Sequence, residues 1–365
     1  MHHSVPLARR NLLAEPRRLI SSAAGVGMAI MLILLLDGLW AGIEANVTTY
    51  EDNVGADLYV AQPGTRNFFG AISLIPATTV DTVRADPHVD WAVPVRGFFS
   101  IVELHDIKVP TYVIGSIPGD RGGPWELRQG RAPATDDEVA IGSVMAKRHG
   151  IRVGDRMEIM GRRFTVVGTT SDAFMASFVF MTHAATDQLL SAPATTSFVL
   201  VGTDDPAAVR ARLADDGLAV LDRDELAAND LSLMARAYSV PLRVMRAVAF
   251  TVGSLVIALT VYTAIMERRR EYGIVKAMGA RGRRLLALAV QQTLIIAGIG
   301  LVSGGLLFVA GRAYITTVRP QFVILASPGS VGRAVVAALL MALVAAIVPA
   351  RRLARLEPAT AYRGG

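Results

Sequence analysis

The ionisable and nucleophilic side chains of this 365-residue sequence form no recognisable catalytic motif. Isoleucine, alanine and valine precede the three lysines, Lys108, Lys147 and Lys276, whereas a P-loop needs glycine at that position. The six histidines form no HExxH pair, and no GxSxG elbow is present. The pattern predicts a chain that is not an enzyme and does not hydrolyse ATP through a P-loop.

Metal ligation has only weak candidates. The absence of cysteine excludes thiolate metal sites, disulfides and thiol nucleophiles. Asp136, Asp137 and Glu138 are adjacent carboxylates, but no further ligands follow at EF-hand spacing, which favours a solvated turn. His2 and His3 are typical of a disordered terminus rather than of a weak metal site. We therefore predict no metal and no cofactor in this chain.

The most informative polar segment runs from Glu267 to Arg284 and reads ERRREYGIVKAMGARGRR. Ile274, Val275 and Met278 form one apolar face of a short helix, and Gly279 is placed to end that helix. Two readings remain open. The segment is either a basic helix that lies on anionic lipid, or a helix whose apolar ridge enters a groove on a partner protein.

Four apolar runs flank these segments, at residues 19–40, 244–266, 285–313 and 331–350. About 20 helical residues, at about 1.5 Å each, cross a hydrocarbon core of about 30 Å. With 52% hydrophobic residues overall, the runs predict four transmembrane helices. The length of the first run favours an uncleaved anchor over a secretory signal. Its only charge, Asp37, is placed near the outer end, where we expect it to reach water.

Charge is distributed unevenly and sets the topology. The terminal segments 1–18 and 351–365 and the loop 267–284 together hold 15 Lys/Arg against 4 Asp/Glu, whereas residues 44–236 hold 17 against 26. Basic segments favour the cytoplasmic side, so both termini are predicted to be cytoplasmic. Because the cations adjoin apolar runs, they indicate lipid contact rather than nucleic-acid binding.

Residues 41–243 are predicted to form an α+β domain outside the membrane. Strand patterns occur at Asp57–Ala61, Trp91–Val95, Tyr112–Ile117, Arg156–Met160, Arg163–Val167, Phe178–Met181 and Ser197–Val201, and helical patterns at Ser143–His149, Ala184–Leu190 and Pro206–Leu213. Ala41–Asp52 and Leu226–Pro241 read either as stalks that transmit movement or as plain linkers. Gly300 and Gly304, at GxxxG spacing, predict helix packing within the chain or a dimer seam.

Four stretches together resemble the FtsX-like permease family of ABC transporters. The basic start at Leu7–Ile30, the loop at Glu267–Arg284 and the tail VPARRLARLEPATAYR at Val348–Arg363 match the membrane part of that family, and Arg128–Thr170 is similar to the MacB-like extracytoplasmic core domain. The resemblance covers essentially the whole chain. It agrees with a division into an N-terminal cytoplasmic helix (1–18), four spans, a domain with stalks (41–243), a coupling loop (267–284), an outer loop (314–330) and a tail (351–365).

The resemblance implies a permease of the bacterial inner membrane whose coupling residues contact a dimeric ABC ATPase. Those residues are Glu271, Ile274, Val275, Lys276, Met278 and Gly279. ATP and Mg²⁺ would be bound by the ATPase, and a second permease chain, identical or related, would complete the assembly. The implied function is efflux or mechanical movement of the outer domain, without a specified substrate.

Two alternatives remain, an ATPase-driven regulator of a cell-wall hydrolase and a sensor without an ATPase. The coupling loop argues against the sensor. Where many members of the family carry an acidic residue near the cytoplasmic end of the third span, this chain has Gln291 and Gln292, so a coupling role for that position is in doubt here.

Overall fold

The computed structural model describes residues 16–70, 73–104, 107–172, 177–267, 282–319 and 322–354. It divides into two compact units. The helical unit comprises Met1–Ala41, Ser239–Val318 and Ile324–Gly365, and the sheet unit comprises Gly42–Tyr238 and Arg319–Val323. Each unit is described by itself below.

The described residues form the following elements. The helices are α1 (Pro16–Asn46), α2 (Thr49–Val54), α3 (Thr79–Arg84), α4 (Ser143–His149), α5 (His183–Leu190), α6 (Pro206–Asp215), α7 (Arg223–Glu267), α8 (Gly282–Val318) and α9 (Pro328–Ala354). The strands are β1 (Leu58–Ala61), β2 (Ile75–Pro76), β3 (Val89–Leu104), β4 (Ile107–Ser116), β5 (Leu127–Gly130), β6 (Glu138–Gly142), β7 (Arg156–Ile159), β8 (Arg162–Thr170), β9 (Ser177–Thr182), β10 (Thr195–Thr196), β11 (Phe198–Thr203) and β12 (Ala219–Asp222).

Four helical stretches among the described residues are long and apolar enough to cross a membrane, as the sequence predicts. They are Leu19–Val54, Arg223–Glu267, Val290–Val318 and Pro328–Ile347. The first two, with 36 and 45 residues, are far longer than the roughly 20 residues that a bilayer core requires. Their excess, residues 42–54 and 223–238, belongs to the sheet unit.

The helical unit is held together mainly by apolar contacts between α1, α7, α8 and α9. Val26 and Ile30 of α1, Ile257 of α7, Ile296 of α8 and Met341 of α9 are fully buried in one cluster. Many other apolar side chains of these helices remain exposed, which suits contact with lipid acyl chains. A buried hydrogen bond of 2.6 Å joins the hydroxyls of Ser22 and Thr260, so polar side chains also contribute to the contact of α1 with α7.

The sheet unit is built on one mixed sheet in the order β12-β1-β11-β3-β4-β9-β6-β8-β5, with β7 paired to β8. Among the strands of the described residues, only the pairs β4/β9 and β6/β8 are parallel. A second sheet contains β10 and β2. The α+β prediction is thereby confirmed, because the sheet mixes both pairings and helices are interspersed along the chain.

An aromatic cluster fixes helix α2 in the core of the sheet unit. Tyr50 of α2 is fully buried, and its ring stacks on Phe68 with centroids 4.7 Å apart. Its hydroxyl donates to the carbonyl of Gly122 at 2.9 Å. Because a buried tyrosine needs a hydrogen-bond partner, this contact fixes the orientation of α2 as well as its depth.

The strand and helix predictions agree with the structure, with differences at the ends. The turn between β7 and β8 places Met160 at φ 51° and Gly161 at φ 81°, the left-handed pair that a two-residue type I′ hairpin requires. The sequence reasoning did not predict that β3 runs for 16 residues, nor the short strands β2, β5, β6, β10 and β12.

Candidate functional site

The coupling segment lies outside the described residues. Positions 268–281 contain all six residues assigned to contact with an ATPase, Glu271, Ile274, Val275, Lys276, Met278 and Gly279. The coupling helix therefore stays a prediction. The described residues contain buried charge in both units, and one such cluster in each unit involves helix α7.

The structure places Gly300 and Gly304 against helix α1 of the same chain. A Cβ built on Gly300 would lie 2.4 Å from a methyl of Val26, and one on Gly304 would lie 2.7 Å from Cβ of Ile30 and 2.8 Å from the carbonyl oxygen of Gly27. Side chains at these positions would collide with α1. The two glycines are thus used for helix packing within this chain.

The first charge cluster contains Asp37, Arg246 and Arg333, and it joins three helices of the helical unit. Nη1 of Arg246 on α7 lies 2.6 Å from one carboxylate oxygen of Asp37, and Nε of Arg333 on α9 lies 2.7 Å from the other. The Asp37 side chain is 2% exposed, whereas those of Arg246 and Arg333 are 35% and 56% exposed. One buried carboxylate therefore accepts from two guanidiniums that remain in contact with the surroundings.

The expectation that Asp37 reaches water is wrong. The sequence shows a single acidic residue near the end of an apolar run, and water is the simplest partner for such a residue. The structure supplies two arginines instead, which lie 209 and 296 residues further along the chain. The three charged side chains together carry one more positive than negative charge.

The second cluster contains the carboxyl groups of Glu51 and Asp230 in the sheet unit. Both residues are fully buried. The backbone amides of Phe68 and Phe69 donate to the Asp230 carboxylate at 2.8 and 3.2 Å. Among the described residues, the side-chain hydrogen bond of Glu51 is with the Asp230 carboxyl, and it needs a proton on one of the two groups. With both groups ionised, Glu51 would therefore be a buried and unpaired charge.

Burial controls the ionisation of this pair. It raises the pKa of Glu51 well above the usual value, and the neighbouring Asp230 charge raises it further. Burial also raises the pKa of Asp230, to about 6, although the amides of Phe68 and Phe69 act in the opposite direction. Both shifts favour a pair that shares one proton over two buried carboxylates.

An exposed ion pair also joins α2 to α7. The guanidinium of Arg223, the first residue of α7, donates to Asp52 of α2 at 2.9 Å. Asp52 of α2 binds Arg223 of α7, and Asp230 of α7 lies beside Glu51 of α2. Both contacts therefore join α2 to the beginning of α7. The segments predicted as stalks are therefore in contact with each other within this unit.

The remaining sequence candidates are structural. Glu138 is paired with Arg131, whose hydrogen bond lowers the pKa of the carboxyl to about 2, and Asp136 accepts from Thr182 at 2.5 Å. Within the described part of the chain, no group of three or more potential metal ligands is present. Gln292 is buried and Gln291 is exposed, so the first of these amides lies inside the helical unit.

Comparison with known families accounts for both units. Residues 243–358 match the model of the FtsX-like permease C-terminal region, and residues 19–216, more than half of the chain, match that of the MacB-like periplasmic core domain. The chain belongs to the FtsX-like and MacB-like ABC transporter permeases. The resemblance found in the sequence is thereby confirmed.

Relatives of this permease include chains of the same length and longer ones. An uncharacterised ABC transporter permease of Mycobacterium tuberculosis is 28% identical, over 98% of this chain and 99% of that protein. A pyoverdine export ATP-binding/permease protein of Pseudomonas syringae pv. tomato is 23% identical, over 94% of this chain but only 56% of its own length. Among solved structures, the periplasmic region of MacB from Actinobacillus actinomycetemcomitans matches with 14% identity and a TM-score of 0.37, over 47% of this chain and 90% of that one.

Proposed function

We propose that this permease is driven by a separate ABC ATPase subunit and converts ATP hydrolysis into export or into movement of its sheet unit. The ATPase dimer binds ATP and Mg²⁺, and the segment around Glu271–Gly279 contacts it. A second permease chain, identical or related, completes the assembly in the inner membrane. The positive-inside bias of the sequence places both termini in the cytoplasm.

The division of labour between two proteins is supported by sequence. No lysine in the 365 residues has the glycine that a P-loop requires before it. Relatives named as ATP-binding/permease proteins are longer, and this chain spans 56% of the one from Pseudomonas syringae pv. tomato. We infer that their remaining length supplies the ATP-binding function that this chain obtains from a partner.

The mechanical part of the proposal rests on one observation. In both units, helix α7 is paired with the part of the chain that enters the sheet unit, α1 in the helical unit and α2 in the sheet unit. In the helical unit, Asp37 of α1 binds Arg246 of α7. In the sheet unit, Asp52 of α2 binds Arg223 of α7, and Asp230 of α7 lies beside Glu51 of α2. A shift of α7 is therefore resisted in each unit by contacts with the chain that enters the sheet unit, so a movement of α7 acts on that chain in both units.

The test is co-purification of the detergent-solubilised permease with its candidate ATPase, followed by measurement of ATP turnover. Met278→Asp places a charge on the predicted apolar ridge, and we expect it to abolish both association and stimulation of turnover. Met160→Asp, the same exchange at an exposed hairpin turn of the sheet unit, is the matched control and should behave as wild type. Unchanged association of Met278→Asp would refute the assigned contact, and no association of wild type with any ATPase would refute the proposed engine.

A further inference from the structure

An apolar cavity of about 310 Å³ lies within the helical unit. Its lining includes Leu34 of α1, Leu301 and Phe308 of α8, and Ala334 and Val335 of α9. The volume is at the lower end of the range of ligand pockets, about 300–1,000 Å³. Since the lining is almost entirely apolar, the occupant that fits it is a hydrocarbon chain.

The Asp37 cluster lies next to this cavity. Leu34 and Asp37 are three residues apart on α1, and therefore share one face, about one helical turn apart. Nη2 of Arg333 lies 3.4 Å from Oγ of Ser330, and Ser330 itself lines the cavity. A guanidinium with half of its side chain exposed therefore stands beside an apolar space.

We propose that this cavity binds one acyl chain of an anionic phospholipid, whose phosphate is held by Arg333. Nε of Arg333 donates to Asp37 and Nη2 donates to Ser330, which leaves Nη1 and the second N–H of Nη2 for a phosphate. The second guanidinium, that of Arg246, prevents Asp37 from neutralising Arg333 completely. Charge and shape together thus select a ligand with an anionic head and a long apolar tail.

A second copy of the chain is the competing occupant. The excess positive charge of Asp37, Arg246 and Arg333 beside the cavity favours an occupant with an anionic group instead. The cavity also contains Gly305, where an added Cβ would meet no atom within 4 Å, so the space beside this helix is open.

The test is native mass spectrometry of the full chain with equal amounts of phosphatidylglycerol and phosphatidylcholine added in detergent. Gly305→Leu fills the cavity, and we expect it to lower the fraction of protein with bound phosphatidylglycerol about tenfold, equivalent to about 1.4 kcal/mol. Gly298→Leu is the matched control, because Gly298 lies on the same helix, does not line the cavity and also has open space beside it. Val309→Trp, which adds bulk from the exposed rim, repeats the test if Gly305→Leu does not fold.

The charge requirement is tested by Arg333→Gln. We expect this variant to lose the preference for phosphatidylglycerol over phosphatidylcholine while it still binds the zwitterionic lipid, because the cavity is unchanged. Phosphatidylglycerol binding by Gly305→Leu equal to that of Gly298→Leu would overturn the assignment of the cavity. A preference that survives Arg333→Gln would overturn the role of Arg333. A Gly305→Leu variant that loses a dimer while it keeps its lipid would show that a second copy fills the cavity.

Discussion

Replacement of Glu51 by glutamine is expected to stabilise the sheet unit at neutral and alkaline pH. Glu51 is fully buried beside Asp230, and burial raises its pKa well above the usual value. The folded protein therefore keeps a proton on Glu51 that the unfolded chain, with a glutamate pKa of about 4.3, has already released. Glutamine has the shape of the protonated acid and cannot ionise, so Glu51→Gln preserves the contacts and removes this cost.

The sign and size follow from the direction of the shift. A group with a raised pKa contributes to the free energy of unfolding, and this contribution is complete below about pH 4.3. As the pH rises further, the contribution falls by about 1.4 kcal/mol per pH unit until the pH reaches the pKa of the folded state. The wild type is therefore the less stable of the two proteins above about pH 4.3, and its disadvantage grows with pH until the folded pKa of Glu51 is reached. Asp230, whose pKa burial raises to about 6 in the wild type, responds to the same exchange because it is hydrogen-bonded to Glu51.

Hydrogen exchange of the full chain in detergent, at pH 5 to 8, measures this difference locally. The informative peptides cover residues 49–60 and 223–236, and wild type and variant are compared at the same pH so that intrinsic exchange rates cancel. Protection in the variant should exceed that in wild type by a factor that grows with pH, by up to about tenfold per pH unit, until the pH reaches the folded pKa of Glu51. Glu103→Gln, an exchange at an exposed position on β3, should change nothing. A variant that is less protected at pH 8, or a difference independent of pH, would refute a neutral Glu51.

Two further predictions concern the helical unit and are measured as free energies of unfolding in mixed micelles. Asp37→Asn leaves two arginines without their carboxylate and should lower the free energy of unfolding by about 3 kcal/mol. Arg246→Gln should cost less because Arg333 still pairs with Asp37, so the double variant should be non-additive. Additive costs would show that Asp37 and Arg246 do not interact. Gly304→Ala should destabilise the helical unit by about 1–3 kcal/mol, because the added methyl collides with α1. Gly298→Ala meets open space and should be neutral or stabilise the unit by up to about 1 kcal/mol. Equal effects of the two exchanges would contradict the packing of α8 on α1.

The elements that could be predicted from sequence are those defined by local patterns. Each transmembrane run is continuous in sequence, and hydropathy alone identifies it because the bilayer imposes a length. The β7–β8 hairpin also has a local signal, since the permissive Gly161 marks a tight turn. The sequence pattern predicts β3 only over Trp91–Val95. The later half of that strand exposes the apolar residues Phe99 and Ile101, so apolar and polar residues do not alternate there as they do in a half-buried strand.

The polar contacts of the site could not be predicted, because each joins residues far apart in the chain. Glu51 and Asp230 stand 179 positions apart, and neither has a neighbour in sequence that marks it as buried. Asp37 offered one usable signal. A carboxylate inside an apolar run is costly and commonly paired, and this rule favours a search for arginines at the ends of the other spans, where Arg246 and Arg333 occur.

The placement of the two clusters has a consequence for how the permease transmits force. Breaking a buried ion pair costs several kcal/mol, so α1 and α7 are not expected to separate at Asp37 during a working cycle. The Glu51 and Asp230 pair is different, since the stability that it contributes falls as the pH rises above the glutamate pKa of the unfolded chain. The contact in the helical unit is therefore the stronger of the two. If α7 moves, the sheet-unit contact is the one expected to yield, and Glu51→Gln, by strengthening it, should slow any turnover that requires α2 and α7 to part.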